Sequence, residues 1–346
     1  MSEPAKPYIG GQAVIEGVMM RAPKCLTVAV RRPDGSIAVR EGPLRAKLLN
    51  GPLSKVPGLR GVVMLVESLS LGYGALRFSA EQQMTEEERK QAGDGGGAAF
   101  ISLVFALGLF MLLPQGLTSG LAKLIGAQWD LQSPAFHAIT GGFKLLVFSA
   151  YLALISRFEE VRRVFQYHGA EHKTIFAYEA GLPLNVENVR KQSTLHPRCG
   201  TTFLVIVIGV SILLGATVTP LLLPNAQGTV GWILTLLLRV ALLPFVAAIS
   251  YELQRFSARY CTTGPLRVLL YPGFLFQKIT TREPDDQQLE IAIAAMEVAR
   301  VGEESALREA QASAQHEATP DRVHVFPTFA GVAAAVDRGL APQMAE

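Results

Sequence analysis

Residues 202–223 read TFLVIVIGVSILLGATVTPLLL, an uncharged run of twenty-two positions. A helix of about 20 apolar residues is what the hydrocarbon core of a bilayer demands. Three further stretches of the same kind lie at 98–122, 138–156 and 230–250. Pro114, Pro220 and Pro244 fall in or beside them, where a membrane helix tolerates proline as a kink. The whole chain of 346 residues is 49% hydrophobic and only 18% charged, with mean hydropathy +0.29. A soluble surface needs more charge than that. The fold class expected is mainly α: a polytopic membrane protein with about four transmembrane helices and a small cytosolic α+β portion.

The charges between these runs set the orientation. The connection 123–137 carries one basic residue, Lys123, and 224–229 carries none. The connection 157–200 carries seven: Arg157, Arg162, Arg163, Lys173, Arg190, Lys191 and Arg198. The region before the first run and the stretch after Tyr251 are also basic. The positive-inside rule then puts both termini and the middle connection in the cytosol, and four crossings agree in parity. The expected location is a bacterial cytoplasmic (inner) membrane, with membrane lipids as partners. A net charge of +3 gives no field for nucleic acid. Residues 1–8 contain no apolar core for a cleavable signal. Three cysteines, Cys25, Cys199 and Cys261, are odd in number and too widely spaced for a disulfide framework.

Residues 1–58 read as an N-terminal cytosolic segment. Within it, 26–32 and 36–41 alternate around Pro33-Asp34-Gly35, which is hairpin chemistry. Residues 59–76 are apolar but carry Arg60 and Glu67, and a fifth span there would put the basic N-terminus outside. That segment reads as an interfacial or re-entrant helix, followed to residue 97 by a charged, glycine-rich linker. The four-span region covers 98–250 with its cytosolic loop at 157–200. Residues 157–180 read as a helical continuation of the second span, stopped at Gly181. Cytosolic helices occupy 251–309, one of them opening at Asp285-Asp286, and 310–346 reads as a loose tail.

The chemistry concentrates at His168-Gly169-Ala170-Glu171-His172. Histidines four apart share one helical face, so both imidazoles can reach one ion. Glu171 sits on a neighbouring edge, placed to act as general base in the H-x-x-E-H order of the inverzincins. His196 and Cys199 are three apart where the third span begins, at the same membrane level. Glu252, at the end of the fourth span, and Glu179 are candidates to complete the shell. Zinc or another divalent metal is the cofactor this donor set would take. Glu16, flanked by Gly10, Gly11 and Gly17, is placed with the site because those glycines allow close approach. The glycine spacing is not that of a phosphate loop.

Two charges lie inside spans. Arg239 is in the middle of the fourth run and Lys144 about two turns inside the second; each costs about 2.5–3.5 kcal/mol on insertion scales. No acid lies in the four spans, so Glu67, dipping in from 59–76, is the expected partner of Arg239. Lys144 is expected to snorkel. His137 is read as interfacial, and His316 and His324 receive no role.

These motifs resemble the YqhQ-like family of bacterial membrane proteins. The resemblance rests on Gly10 to Arg21, Tyr167 to Thr174, His196 to Thr201, Ile249-Ser250-Tyr251-Glu252 and Glu283-Pro284-Asp285-Asp286. It covers about residues 8–298 and implies a protein of unknown function, described as a metal-dependent enzyme predicted from sequence. The expected function is therefore a metal-dependent hydrolase acting at the cytosolic membrane face. The alternative is a non-catalytic scaffold, assembly factor or small-solute carrier.

Overall fold

Short alternating segments near the N-terminus make four strands, β1 (Gly10–Val14), β2 (Gly17–Arg21), β3 (Cys25–Arg31) and β4 (Ile37–Pro43). A fifth, β5 (Arg322–Phe326), arrives from the far end of the chain, and the antiparallel sheet runs in the order β1-β2-β3-β4-β5. The computed structural model describes residues 7–44, 51–56, 58–91, 96–129, 131, 133–261, 264–312 and 321–339. Arg31 pairs with Ile37 across the β3–β4 turn, where Gly35 takes φ +84° and the Asp34 carboxylate accepts the Ser36 amide at 2.9 Å.

Twelve α-helices accompany the sheet among the described residues. They are α1 (Leu59–Gln83), α2 (Glu86–Gln91), α3 (Gly96–Leu107), α4 (Leu113–Ile125), α5 (Pro134–Ile155), α6 (Glu159–Glu179), α7 (Val186–Arg190), α8 (Gly200–Leu222), α9 (Gly228–Tyr260), α10 (Tyr271–Thr280), α11 (Asp286–Ala312) and α12 (Phe329–Asp337). A π-helical turn, Gly108–Leu112, joins α3 to α4 without a break.

Side chains alternate through the sheet, so the strands β1 to β4 together feed two cores. Val18, Met20, Ala29, Ile37 and Val39 pack with α6 and α11, where Tyr167, Ala170, Leu289, Ile293 and Met296 are buried. Val14, Met19, Val28, Val30 and Ala38 pack on the other face against Ala75 and Phe78 of α1. The sheet is thus the middle of three layers. Strands from the N-terminus, the α6 helix between two spans and the C-terminal α11 share one core.

Five helices are long and apolar enough to cross a membrane: α1, the continuous helix Phe100–Ile125, α5, α8 and α9. The additional one is α1, expected to be interfacial. It begins where expected but runs on to Gln83. At its start Gly61 meets α9, where a Cβ would lie 2.8 Å from Ala248 Cα, and Arg60 forks onto the Glu252 carboxylate. At its end Arg32 Nε donates to Gln82 at 2.8 Å, beside Phe78 in the sheet core.

Several expectations need correction. The linker is partly helical: α1 enters it, and Thr85 and Glu88 cap α2 reciprocally, Thr85 N donating to Glu88 Oε2 at 2.8 Å and Glu88 N to Thr85 Oγ1 at 3.3 Å. The helix over 157–180 is not a continuation of the second span, because the chain turns extended at Phe158 and restarts with Glu159 and Glu160 at the positive end of α6. The tail contains β5 and α12, with Val332 buried in the core that α11 shares, and His324 Nε2 lies 3.2 Å from Glu41 Oε1. His316 lies outside the described residues.

The polar residues inside the bundle also find other partners than expected. Arg239 donates to Gln115 Oε1 at 2.7 Å and lies 3.4 Å from His137 Nδ1, so Glu67 is not its partner. His137 is buried there rather than interfacial. Lys144 donates to Ser211 Oγ of α8 at 3.2 Å. Gln115 is a neutral acceptor, which a sequence search for acids passes over.

Candidate metal centre

The α6 helix carries the first two donors. Its C-terminus closes on Gly181 at φ +72°, with Leu182 N on Ala177 O at 3.0 Å and Gly181 N on Tyr178 O at 3.0 Å. On its buried face the rings of His168 and His172 are 4.4 Å apart. The third donor, Cys199, is the N-cap of α8, its sulfur accepting from Thr201 N at 3.4 Å. Cys199 Sγ lies 3.2 Å from His168 Nε2, and one donor atom from each of His168, His172 and Cys199 lies within 4.8 Å of the others.

Both histidines are pre-oriented. His168 Nδ1 bonds the Thr280 carbonyl at 2.8 Å, and His172 Nδ1 bonds the Thr194 carbonyl. A carbonyl only accepts, so each Nδ1 carries the proton and each Nε2 keeps a lone pair for a cation. In tetrahedral zinc the nitrogen and sulfur donors stand about 3.5 Å apart, close to the His168–Cys199 separation. The donor set therefore fits zinc after small side-chain shifts.

The supporting backbone explains the intervening glycine. A Cβ on Gly169 would lie 2.1 Å from Arg282 O, and Arg282 N donates to Phe165 O at 2.9 Å. Only glycine lets the chain after α10 come this close and deliver the Thr280 carbonyl. Gly11 does the same on β1, since a Cβ there would lie 2.7 Å from Glu171 Cγ.

Glu171 is buried with Oε2 4.0 Å from His168 Nε2, and burial pushes its carboxyl above the usual range. Burial pulls His172 and His196 below the usual histidine value. His196 accepts from Arg198 N at its Nδ1, 3.3 Å away, which leaves its buried Nε2 without a hydrogen bond, 3.8 Å from Glu179 Oε2. Its ring centroid is 5.5 Å from that of His172. Gln277 clamps its peptide unit, with Oε1 accepting His196 N and Nε2 donating to His196 O, both at 2.8 Å.

The cluster lines one wall of a cavity of about 880 Å³ that also includes Glu171 and His196. The other expected residues are elsewhere. Glu252 is occupied by Arg60, and neither it nor Glu16, Glu67 or Arg239 lines the cavity. The Glu16 carboxylate takes Arg163 and, at 3.3 Å, the Tyr167 hydroxyl. Glu67 is buried on α1 within the field of Arg21. Glu179 pairs with Arg198. Thr194 and Thr280 escaped sequence reading because they act through backbone carbonyls. Gln277 escaped because nothing around it marks a clamp.

A family described as a protein of unknown function, DUF1385, matches residues 56–301. The uncharacterized protein YqhQ of Bacillus subtilis (strain 168) is 36% identical over 303 residues, which is 83% of this chain and 90% of that relative. No solved structure matches.

Proposed function

This chain belongs to the DUF1385 family of unknown function, so its role is read from the site, and we propose a multi-pass membrane protein bearing a divalent-metal-dependent hydrolase on its cytosolic face. The observation that carries this reading is the pair of Nε2 lone pairs and the Cys199 sulfur, freed and aimed at one point beside a buried carboxyl in a cavity wall. Structural metal sites are closed, whereas a site on a cavity keeps a position for reactants.

His168, His172 and Cys199 would hold the ion, leaving its fourth position open toward the cavity, where His196 lies beside them. A zinc ion there supplies Lewis-acid polarisation of the scissile group. Glu171 accepts a proton from the attacking water as its oxygen bonds to the electrophilic centre, and returns the proton to the leaving group.

Four crossings fit this reading better than five. The sheet, α6 and α11 share one core, so an even number of crossings must separate each from the next. Two crossings by the Phe100–Ile125 helix and α5, then two by α8 and α9, meet that condition, with α1 lying between sheet and membrane. The basic residues of 157–200 support the cytosolic assignment.

The test is metal content. Purified full-length protein should carry about one equivalent of zinc, and the double variant His168→Ala, His172→Ala should lose it while still unfolding cooperatively, at a lower temperature. Glu171→Gln should keep the metal. Equal metal in wild type and the double variant removes the reading. The scaffold or carrier alternative is favoured by Arg239 and Lys144, both engaged in contacts between helices, and it expects that equality.

A further inference from the structure

The cavity is bordered by a feature that hydrolysis of a small solute does not need. Gly10, Gly11, Gln12 and Ala13 of β1 line it, and β1 is an edge strand, paired only with β2. Val14 faces Gly17 across the two-residue turn, and antiparallel pairs alternate between hydrogen-bonded and open. Val14, Gln12 and Gly10 therefore bond β2, whereas Gly11 and Ala13 turn their N–H and C=O groups outward along the free edge. Among the described residues nothing bonds these outward groups.

An unpaired strand edge is a template for a further strand, and an extended peptide supplies one at the matching period. We propose that the substrate is an extended, apolar peptide segment that adds to β1 as a further strand. This rests on the cluster being the reactive centre. Three observations support it. The α6 helix crosses β1 so closely that Glu171 packs on Gly11, which brings a carbonyl of the added strand beside the cluster. The opposite walls are apolar, formed by Met64 and Leu71 of α1, Phe148 and Leu152 of α5, Leu204 of α8 and Phe276 of α10. Arg21, opposite Gly10, borders the cavity, where its guanidinium, in the field of Glu67, also offers a positive charge to a peptide carboxylate. An acyl chain would fill the apolar wall but leave the Gly11 and Ala13 amides unmet.

In the reaction, the oxygen of one water bonds to the peptide carbonyl carbon while Glu171 takes its proton. The C–N bond then breaks and the nitrogen receives that proton, leaving a carboxylic acid and an amine.

The experiment uses full-length protein in detergent and a fluorescein-labelled octapeptide of alternating valine and leucine with a free C-terminus, followed by anisotropy. Saturable binding is expected. N-methylation of the peptide should weaken it at least tenfold at every second residue and little between. Ala13→Pro removes one outward N–H without touching the β2 ladder and should weaken binding about tenfold. Arg21→Gln should reduce binding of the free acid to that of the C-terminal amide. Full-length wild type stripped of metal with a chelator should still bind peptide, so failure of the metal reading shows separately. A flat N-methylation profile overturns the proposal whether or not Ala13→Pro folds. So does complete displacement by oleate without that alternation, which would assign the cavity to a lipid tail.

Discussion

At the residue scale the centre depends on contacts that carry no charge. Gly169 is the clearest, because its missing Cβ is what allows Arg282 O and then Thr280 O to close on α6. Gly169→Ala should lower stability by about 1–3 kcal/mol through overpacking. It should also weaken zinc binding roughly tenfold or more by releasing the His168 ring. Thermal melts and competition with a chromophoric chelator read these separately. Cys25 gives a pH-dependent expectation away from the site. Burial pushes its thiol from 9.0 to about 11, so the fold favours the neutral form. Its contribution to stability is complete below pH 9 and is lost as pH rises toward 11. Melting temperature between pH 8.5 and 11 should fall more steeply in wild type than in Cys25→Ala.

At the scale of elements, hydrogen bonds inside the bundle join helices that the Arg60–Glu252 ion pair of α1 and α9 does not reach. Arg239 of α9 reaches Gln115 of α4 and His137 of α5, drawing three helices together around one guanidinium. A double-mutant cycle with Arg239→Gln and Gln115→Leu should give a coupling of about 0.6–1.7 kcal/mol, the range for hydrogen bonds between membrane helices. The same cycle with Glu67→Gln should give none. Unfolding in mixed detergent measures both. Glu16 shows the same economy at a turn. It is the described non-glycine residue with positive φ, +51°, and it is held there by Arg163 and Tyr167 of α6.

For the whole molecule, the decisive fact is that three separated pieces of chain make one core. This converts packing into topology, since pieces that touch cannot lie on opposite sides of a bilayer. Reporter fusions after residues 91 and 185 should report the same side, and fusions after 127 and 225 the other. A reporter at the N-terminus on the opposite side from one at 91 would make α1 a full crossing and sink the four-span reading.

Apolar length and charge placement are local properties, so the four long runs, the β3–β4 hairpin and the H-x-x-E-H face were legible along the chain. The hairpin declares itself through its own turn residues, and two histidines four apart share a face in any helix. What the chain order could not convey was which distant groups meet. The pairing of Glu252 with Arg60, the capture of Glu16 by Arg163 and the addition of β5 to β4 join residues 192, 147 and 281–289 positions apart. The same holds for the carbonyls of Thr194 and Thr280, which every residue possesses and only packing can aim. Helical and strand periods are set by neighbouring residues, whereas a site assembled from four segments exists only once the shared core has closed around them.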